Sequence, residues 1–206
     1  MKKNKIIFVF FFVIILICIS FYFDAEITKG VSLIRSSFLD NIFMGITFVS
    51  SEIIIFFFLT SIFLWQEHKR RWILPLWITL GVSALVGFLL KISIQRLRPF
   101  QEGIVSISSF LEASKFSLLN FSFPSGHSII VFCAIPILSK EFPRLKYIWI
   151  SFACLVAFSR VYFGVHFLSD VIAGGLIGYV LGMVILTAEK EHRFGEKIYK
   201  RFLGKN

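Results

Sequence analysis

Trp72–Leu90 reads WILPLWITLGVSALVGFLL, nineteen residues with no charged side chain, preceded by Lys69, Arg70 and Arg71 and closed by Lys91. At about 1.5 Å per residue, a helix of that length comes close to crossing the roughly 30 Å hydrocarbon layer of a bilayer. Five further apolar runs lie on either side: about Ile6–Phe23, Ile42–Trp65, His127–Leu138, Tyr147–Phe163 and Phe167–Thr187. Backbone groups in lipid must be satisfied internally, which leaves helices and closed barrels. Continuous apolar runs of this length are helices, not the alternating strands of a barrel. The expected fold is therefore all-α: a polytopic membrane protein with a bundle of six transmembrane helices.

Composition agrees. The chain has 206 residues, 57% hydrophobic and 17% charged, with 27 phenylalanines. A soluble domain is roughly 45–50% apolar and 25% charged, and a disordered chain carries far less apolar surface. The net charge of +10 does not indicate a nucleic-acid partner, because the basic residues sit in short clusters between apolar runs. Cys18, Cys133 and Cys154 all lie inside apolar runs and read as small buried hydrophobes. The first run follows Lys2, Lys3 and Lys5 like a signal peptide, but no small-x-small cleavage site follows it, so it is expected to remain as an anchor.

Lysine and arginine placement sets the orientation. With the N-terminus inside, 15 of the 22 basic residues fall in inner segments: Lys2–Lys5, Lys69–Arg71, Lys140–Lys146 and Lys190–Lys205. Both termini are then cytoplasmic. The run at His127–Leu138 is short for a crossing and contains Pro136; a re-entrant segment is the alternative, which the charge bias disfavours. The long connection between Lys91 and Phe123 holds Ile104, Ile107, Phe110, Leu111 and Leu118, and is expected to form either a short interfacial helix or packed loop.

This topology brings three segments to the outer face: Lys91-x6-Arg98-Pro99, Pro124-Ser125-Gly126-His127 and Ser159-Arg160-x5-His166-x3-Asp170. Lys91, Arg98 and Arg160 are cations at the lipid boundary, where an unpaired charge is expensive. A multiply charged anion would relieve that cost, and arginine and lysine are the usual phosphate donors. Ser125-Gly126 opens a helix whose free N–H groups favour an anion. His166 and Asp170 share a helix face at i, i+4, the arrangement of a nucleophile held by a carboxylate, which leaves His127 to act as general acid. Zinc on His127, His166 and Asp170 is the rival reading, and three neighbouring cations oppose it. His68 and His192 lie in basic inner segments and read as solvated side chains.

These three motifs, in this order and spacing, resemble the type 2 phosphatidic acid phosphatase (PAP2) family. The resemblance covers about the second run to the sixth and implies a helical bundle and a phosphohistidine intermediate. It implies His166 as nucleophile, Asp170 as its partner, His127 as the acid, and Lys91, Arg98, Ser125, Gly126 and Arg160 as phosphate ligands, with no cofactor or metal. The chain then reads as a single membrane-embedded phosphatase: an anchor helix and outer loop over 1–39, a catalytic core over 40–187 and a basic cytoplasmic tail over 188–206. The expected partners are the bilayer and a lipid substrate, with no nucleic acid. The expected reaction is hydrolysis of a lipid phosphate or diphosphate at the outer face of the cell membrane. A polyprenyl diphosphate such as undecaprenyl diphosphate leads, with phosphatidate or phosphatidylglycerophosphate second. A lipid phosphotransferase and a non-catalytic headgroup-binding bundle are the competing classes.

Two polar features remain. Glu52 either pairs with Arg96 or Arg98 or sits at headgroup level. Gly174, Gly178 and Gly182 have small-xxx-small spacing, expected to serve close packing within the bundle.

Overall fold

A computed structural model describes residues 2–106 and 121–203. The described chain is helical, with no strand among the described residues. In order, it forms α1 (Lys2–Ser32), α2 (Ser37–Val49), α3 (Glu52–Trp65), α4 (Ile73–Ile94), α5 (Gly126–Cys133), α6 (Ile135–Glu141), α7 (Lys146–Tyr162), α8 (Leu168–His192) and α9 (Phe194–Leu203). Short 3-10 turns at Glu67–Trp72 and Pro143–Leu145 lead into α4 and α7.

Many large apolar side chains face outward, among them Leu33, Trp65 and Tyr147. That is the surface of a membrane protein, in which lipid replaces water as the outer solvent. Several hydroxyls within the spans are satisfied locally: Thr60, Ser61, Thr79, Ser93 and Thr187 each donate to the carbonyl four residues back.

The expected count of six crossings is not confirmed. The second run is two helices, α2 and α3, bent by 62° at Ser50-Ser51. Among the described residues, three helices are long and apolar enough to cross a membrane, four if that bent pair counts as one span. The fourth run is two short helices in succession, and Ala134 between them stays in the right-handed helical region. Pro136 opens α6, where its missing N–H costs least. Although short, α5–α6 traverses the bundle. Its first turn meets α8 at Asp170, and its last carbonyl, that of Glu141, accepts from Lys69 Nζ at the opposite end.

The tightest packing joins α5 to α8. A Cβ on Gly174 would stand 2.7 Å from the Ser125 carbonyl oxygen, one on Gly178 2.2 Å from that of Ile129, and one on Gly182 2.1 Å from that of Cys133. Glycine every fourth residue thus lets the two backbones touch, and the small-residue stripe serves packing inside the bundle, as expected from its spacing. Beside this seam, Ile55, Leu59, Phe63, Leu76, Val131 and Val156 form the main core.

The basic clusters gather at the end away from Asp170. Lys140 lies over the Trp72 ring, and Glu196 pairs with Arg71, Arg193 and Lys200. The segment expected as a basic tail is in part a helix, α9, turned back so that the Gly195 N–H donates to the Glu189 carboxylate at 2.8 Å. Ile107, Phe110, Leu111 and Leu118, of the expected interfacial helix, lie outside the described residues.

Candidate active site

Three chain segments converge at the other end of the bundle. Lys91 stands in the last turn of α4, and Gln95 closes that helix in the left-handed region, turning the chain toward Arg98. The second segment is the start of α5. Its first three N–H groups, at Gly126, His127 and Ser128, have no acceptor within the helix. The Ser125 N–H is taken by the Asp170 carbonyl at 3.1 Å, which ties α5 to α8.

The third segment is the turn between α7 and α8. Gly164 has φ +68°, and a Cβ there would lie 2.5 Å from Val105 Cγ2 and 2.7 Å from Arg35 Nη2. Only glycine fits both the backbone and the space. The turn delivers His166 two residues before α8, buried at 2% exposure.

Around that imidazole the geometry is specific. Arg98 Nη1 lies 3.4 Å from His166 Nε2 and donates to the Val165 carbonyl at 2.9 Å. His166 Nδ1 faces Asp170 Oδ2 at 3.7 Å, longer than a hydrogen bond. That oxygen also accepts from the Phe167 N–H at 2.8 Å and from the Ser122 hydroxyl. Asp170 Oδ1 accepts from Arg96 Nη1 at 2.8 Å. Arg160 is buried and donates to Thr47 Oγ1 at 3.2 Å, and Lys91 Nζ donates to the Phe121 carbonyl at 2.7 Å.

The site is strongly cationic. Burial lowers the Arg98 guanidinium to about 10, with Asp170 pulling the other way. Burial first, then the charges of Arg98, Lys91, Arg160 and His127, hold the His166 imidazole well below its ordinary 6.5. His166 is thus kept neutral, with a lone pair available. His127 stands in the field of the same three cations, Arg160 foremost. Arg98 Nε, Arg160 Nε, Ser125 Oγ and His166 Nδ1 are buried with no hydrogen-bond partner among the described residues. Unpaired buried donors are costly; His166 Nδ1 is turned to Asp170, and the other three, Arg98 Nε, Arg160 Nε and Ser125 Oγ, suit an anion that would engage them. A cavity of about 290 Å³ is lined by Lys91 and Gly126 and continues along Ser83, Gly87 and Ile130.

All eight residues singled out by the motifs are brought together here. Glu52 lines the same cavity, its Oε1 3.7 Å from where a Gly126 Cβ would stand. Of the alternatives open for Glu52, a pairing with Arg96 is not the one made: Arg96 binds Asp24 and Asp170 instead. Motif reasoning missed Asp24, Arg96 and Ser122, all of which touch the Asp170 carboxylate or its partner. No trio of His, Cys, Asp and Glu suited to a metal is assembled among the described residues.

The sequence profile of the PAP2 superfamily matches residues 72–194, which hold every one of these eight positions. The chain belongs to the PAP2 superfamily. It is 32% identical over 188 residues to phosphatidylglycerophosphatase B of Bacillus subtilis, covering 84% of this chain and 87% of that relative. It is 33% identical to an undecaprenyl-diphosphatase of Sulfolobus acidocaldarius, over 63% of this chain and 61% of that one. Among solved structures, a transmembrane PAP2-type phosphatidylglycerolphosphate phosphatase from Bacillus subtilis superposes with a TM-score of 0.66 at 29% identity. That match covers 91% of this chain and 98% of the other. As a member of this superfamily with lipid phosphatases as relatives, the chain is a membrane enzyme that hydrolyses phosphoric esters.

Proposed function

We propose that the enzyme cleaves a lipid phosphate or diphosphate through a phosphohistidine at His166, with the site on the outer face of the cell membrane and both termini in the cytoplasm. The observation that carries the reading is the position of the His166 ring. One nitrogen faces the guanidinium of Arg98 at 3.4 Å and the other faces the carboxylate of Asp170 at 3.7 Å.

The phosphoryl group sits among Arg98, Arg160, Lys91, Ser125 Oγ and the N–H groups that open α5. Its negative charge offsets the three cations, which lets His127 hold a proton. His166 Nε2 attacks phosphorus, the N–P bond forms and the P–O bond to the leaving lipid breaks. The leaving oxygen takes the proton of His127. Positive charge then spreads over the imidazole, and Asp170 stabilises it from the Nδ1 side. Water next attacks phosphorus and breaks the N–P bond, its proton returns to His127, and inorganic phosphate leaves. The cations supply the charge stabilisation that a metal would give in other phosphoryl-transfer sites, so the reaction needs none.

Two lipids are supported as substrates. The names of the relatives favour phosphatidylglycerophosphate, through the broadly matching Bacillus protein, and undecaprenyl diphosphate. The cavity beside Lys91 takes a phosphate at its mouth and apolar chain along Gly87 and Ile130. The test is phosphate release by detergent-purified protein from both lipids, phosphatidate and a water-soluble ester, for wild type and His166→Ala. His166-dependent release from one of the lipids is the expected result. Release from the soluble ester alone contradicts the lipid reading, and release by the alanine variant contradicts the nucleophile.

A further inference from the structure

The first helix stands, so far, only as an anchor. Yet Asp24 on α1 is 3% exposed, at the level where α8 begins. A carboxylate buried at that depth must be paired. Its Oδ2 accepts from Arg96 Nη2 at 2.8 Å and from the Ser169 hydroxyl, and its Oδ1 accepts from the Ser169 N–H at 3.0 Å. The other terminal nitrogen of Arg96 donates to Asp170 Oδ1 at 2.8 Å and to Ser169 Oγ at 2.7 Å. Phe167 and Phe21 flank the guanidinium, 4.0 and 4.7 Å from its central carbon. The result is an alternating row, Asp24–Arg96–Asp170, that joins α1, the loop after α4 and α8.

This row does more than close an ion pair. Arg96 occupies one oxygen of Asp170, which leaves the other, Oδ2, toward His166 Nδ1. Together with the Phe167 N–H and the Ser122 hydroxyl on Oδ2, it therefore fixes which oxygen faces the imidazole, and it offsets the cost of keeping that carboxylate ionised in a buried place. Asp24 has the complementary task. Arg96 is two residues from Arg98, and without Asp24 its guanidinium would be free to turn to the substrate phosphate. Held between two carboxylates, it serves Asp170 and leaves the phosphate to Arg98.

We infer that Arg96, clamped by Asp24, is a positioning residue for the Asp170 carboxylate, and that the first helix thereby takes part in catalysis. The inference rests on the reading of Asp170 as the partner of a nucleophilic His166. Asp24 lies outside the residues that the superfamily profile matches, and Arg96 is not one of the eight motif positions.

The experiment is a double-mutant cycle on the full-length protein in detergent, reading kcat and KM for phosphate release from phosphatidylglycerophosphate and undecaprenyl diphosphate. The variants are Arg96→Gln, Arg96→Lys, Asp24→Asn, Asp170→Asn and the doubles with Asp170→Asn. Arg96→Gln is expected to lower kcat about 10²-fold, the loss typical of a small misplacement at a reacting centre, with little change in KM. Arg96→Lys restores part of that loss, and Asp24→Asn lowers kcat less than Arg96→Gln. Neither substitution costs anything further once Asp170 is Asn, because coupled residues are non-additive. Full extra losses in the Asp170→Asn background, or a raised KM at unchanged kcat, overturn the inference. If Arg96→Gln does not fold, the isosteric Asp24→Asn cycle decides by the same criterion. Wild-type kcat in Asp170→Asn would instead remove the reading of Asp170, and the inference with it.

Discussion

Gly178→Ala offers a sharp test of how the site is assembled. The added Cβ would stand 2.2 Å from the Ile129 carbonyl oxygen, 3.0 Å from its carbon and 3.1 Å from the Cys133 nitrogen. All three are backbone atoms of α5 or its end, so no side chain can turn aside. An ordinary contact is about 3.5 Å, so α5 and α8 must separate by about 1 Å. Overpacking of this kind costs about 1–3 kcal/mol, partly offset by the roughly 0.5–1 kcal/mol that alanine gains over glycine within a helix. The same separation moves Ser125 and His127, carried by α5, away from Asp170 on α8. A displacement of about 1 Å at a reacting centre costs about 10²-fold in rate. The variant should therefore melt at a lower temperature in detergent and lose kcat far beyond what its stability explains. Gly81→Ala is the control, since no heavy atom lies within 4 Å of its Cβ, and it should be at least as stable and fully active. A Gly178→Ala protein with unchanged melting temperature and undiminished kcat would refute the close α5–α8 packing as the feature that sets the site.

Other outcomes follow from the same geometry. The His166 imidazole is held well below 6.5, so its neutral, nucleophilic form survives as pH falls through that value; the acid limb of kcat/KM should lie well below pH 6.5, and a limb at or above it would contradict a buried neutral His166. Arg98→Ala removes a donor to the developing charge and should lower kcat/KM about 10²–10³-fold, as measured by phosphate release. Vanadate, which mimics five-coordinate phosphorus, should inhibit, whereas EDTA should leave the rate unchanged; a loss in EDTA restored by zinc or magnesium would favour the metal reading.

Much of this was readable in the chain because both signals are local. Long apolar runs mark helices, and each of the three motifs keeps its chemistry within at most a dozen residues. What was hidden is of two kinds. The break at Ser50-Ser51 interrupts a long apolar run, and its mark, two serines followed by Glu52 at the start of α3, is too short a polar interruption to end the run. The Asp24–Arg96 pair joins residues 72 apart, on a helix and a loop whose proximity no pattern announces. Asp24 ends the apolar run Ile6–Phe23 and reads as a membrane boundary. The helix instead continues to Ser32, because this carboxylate faces inward to a guanidinium.

Covalent chemistry at His166 is open to a direct test by rapid quenching. The wild-type protein, mixed with lipid substrate labelled in the reacting phosphate, is quenched within a turnover under alkaline conditions that preserve phosphohistidine, and the peptide carrying 159–170 is examined by mass spectrometry. Label is expected on His166 and absent from His166→Ala. An enzyme that turns over the lipid while leaving no label on His166, or that places it on another residue, would contradict that chemistry.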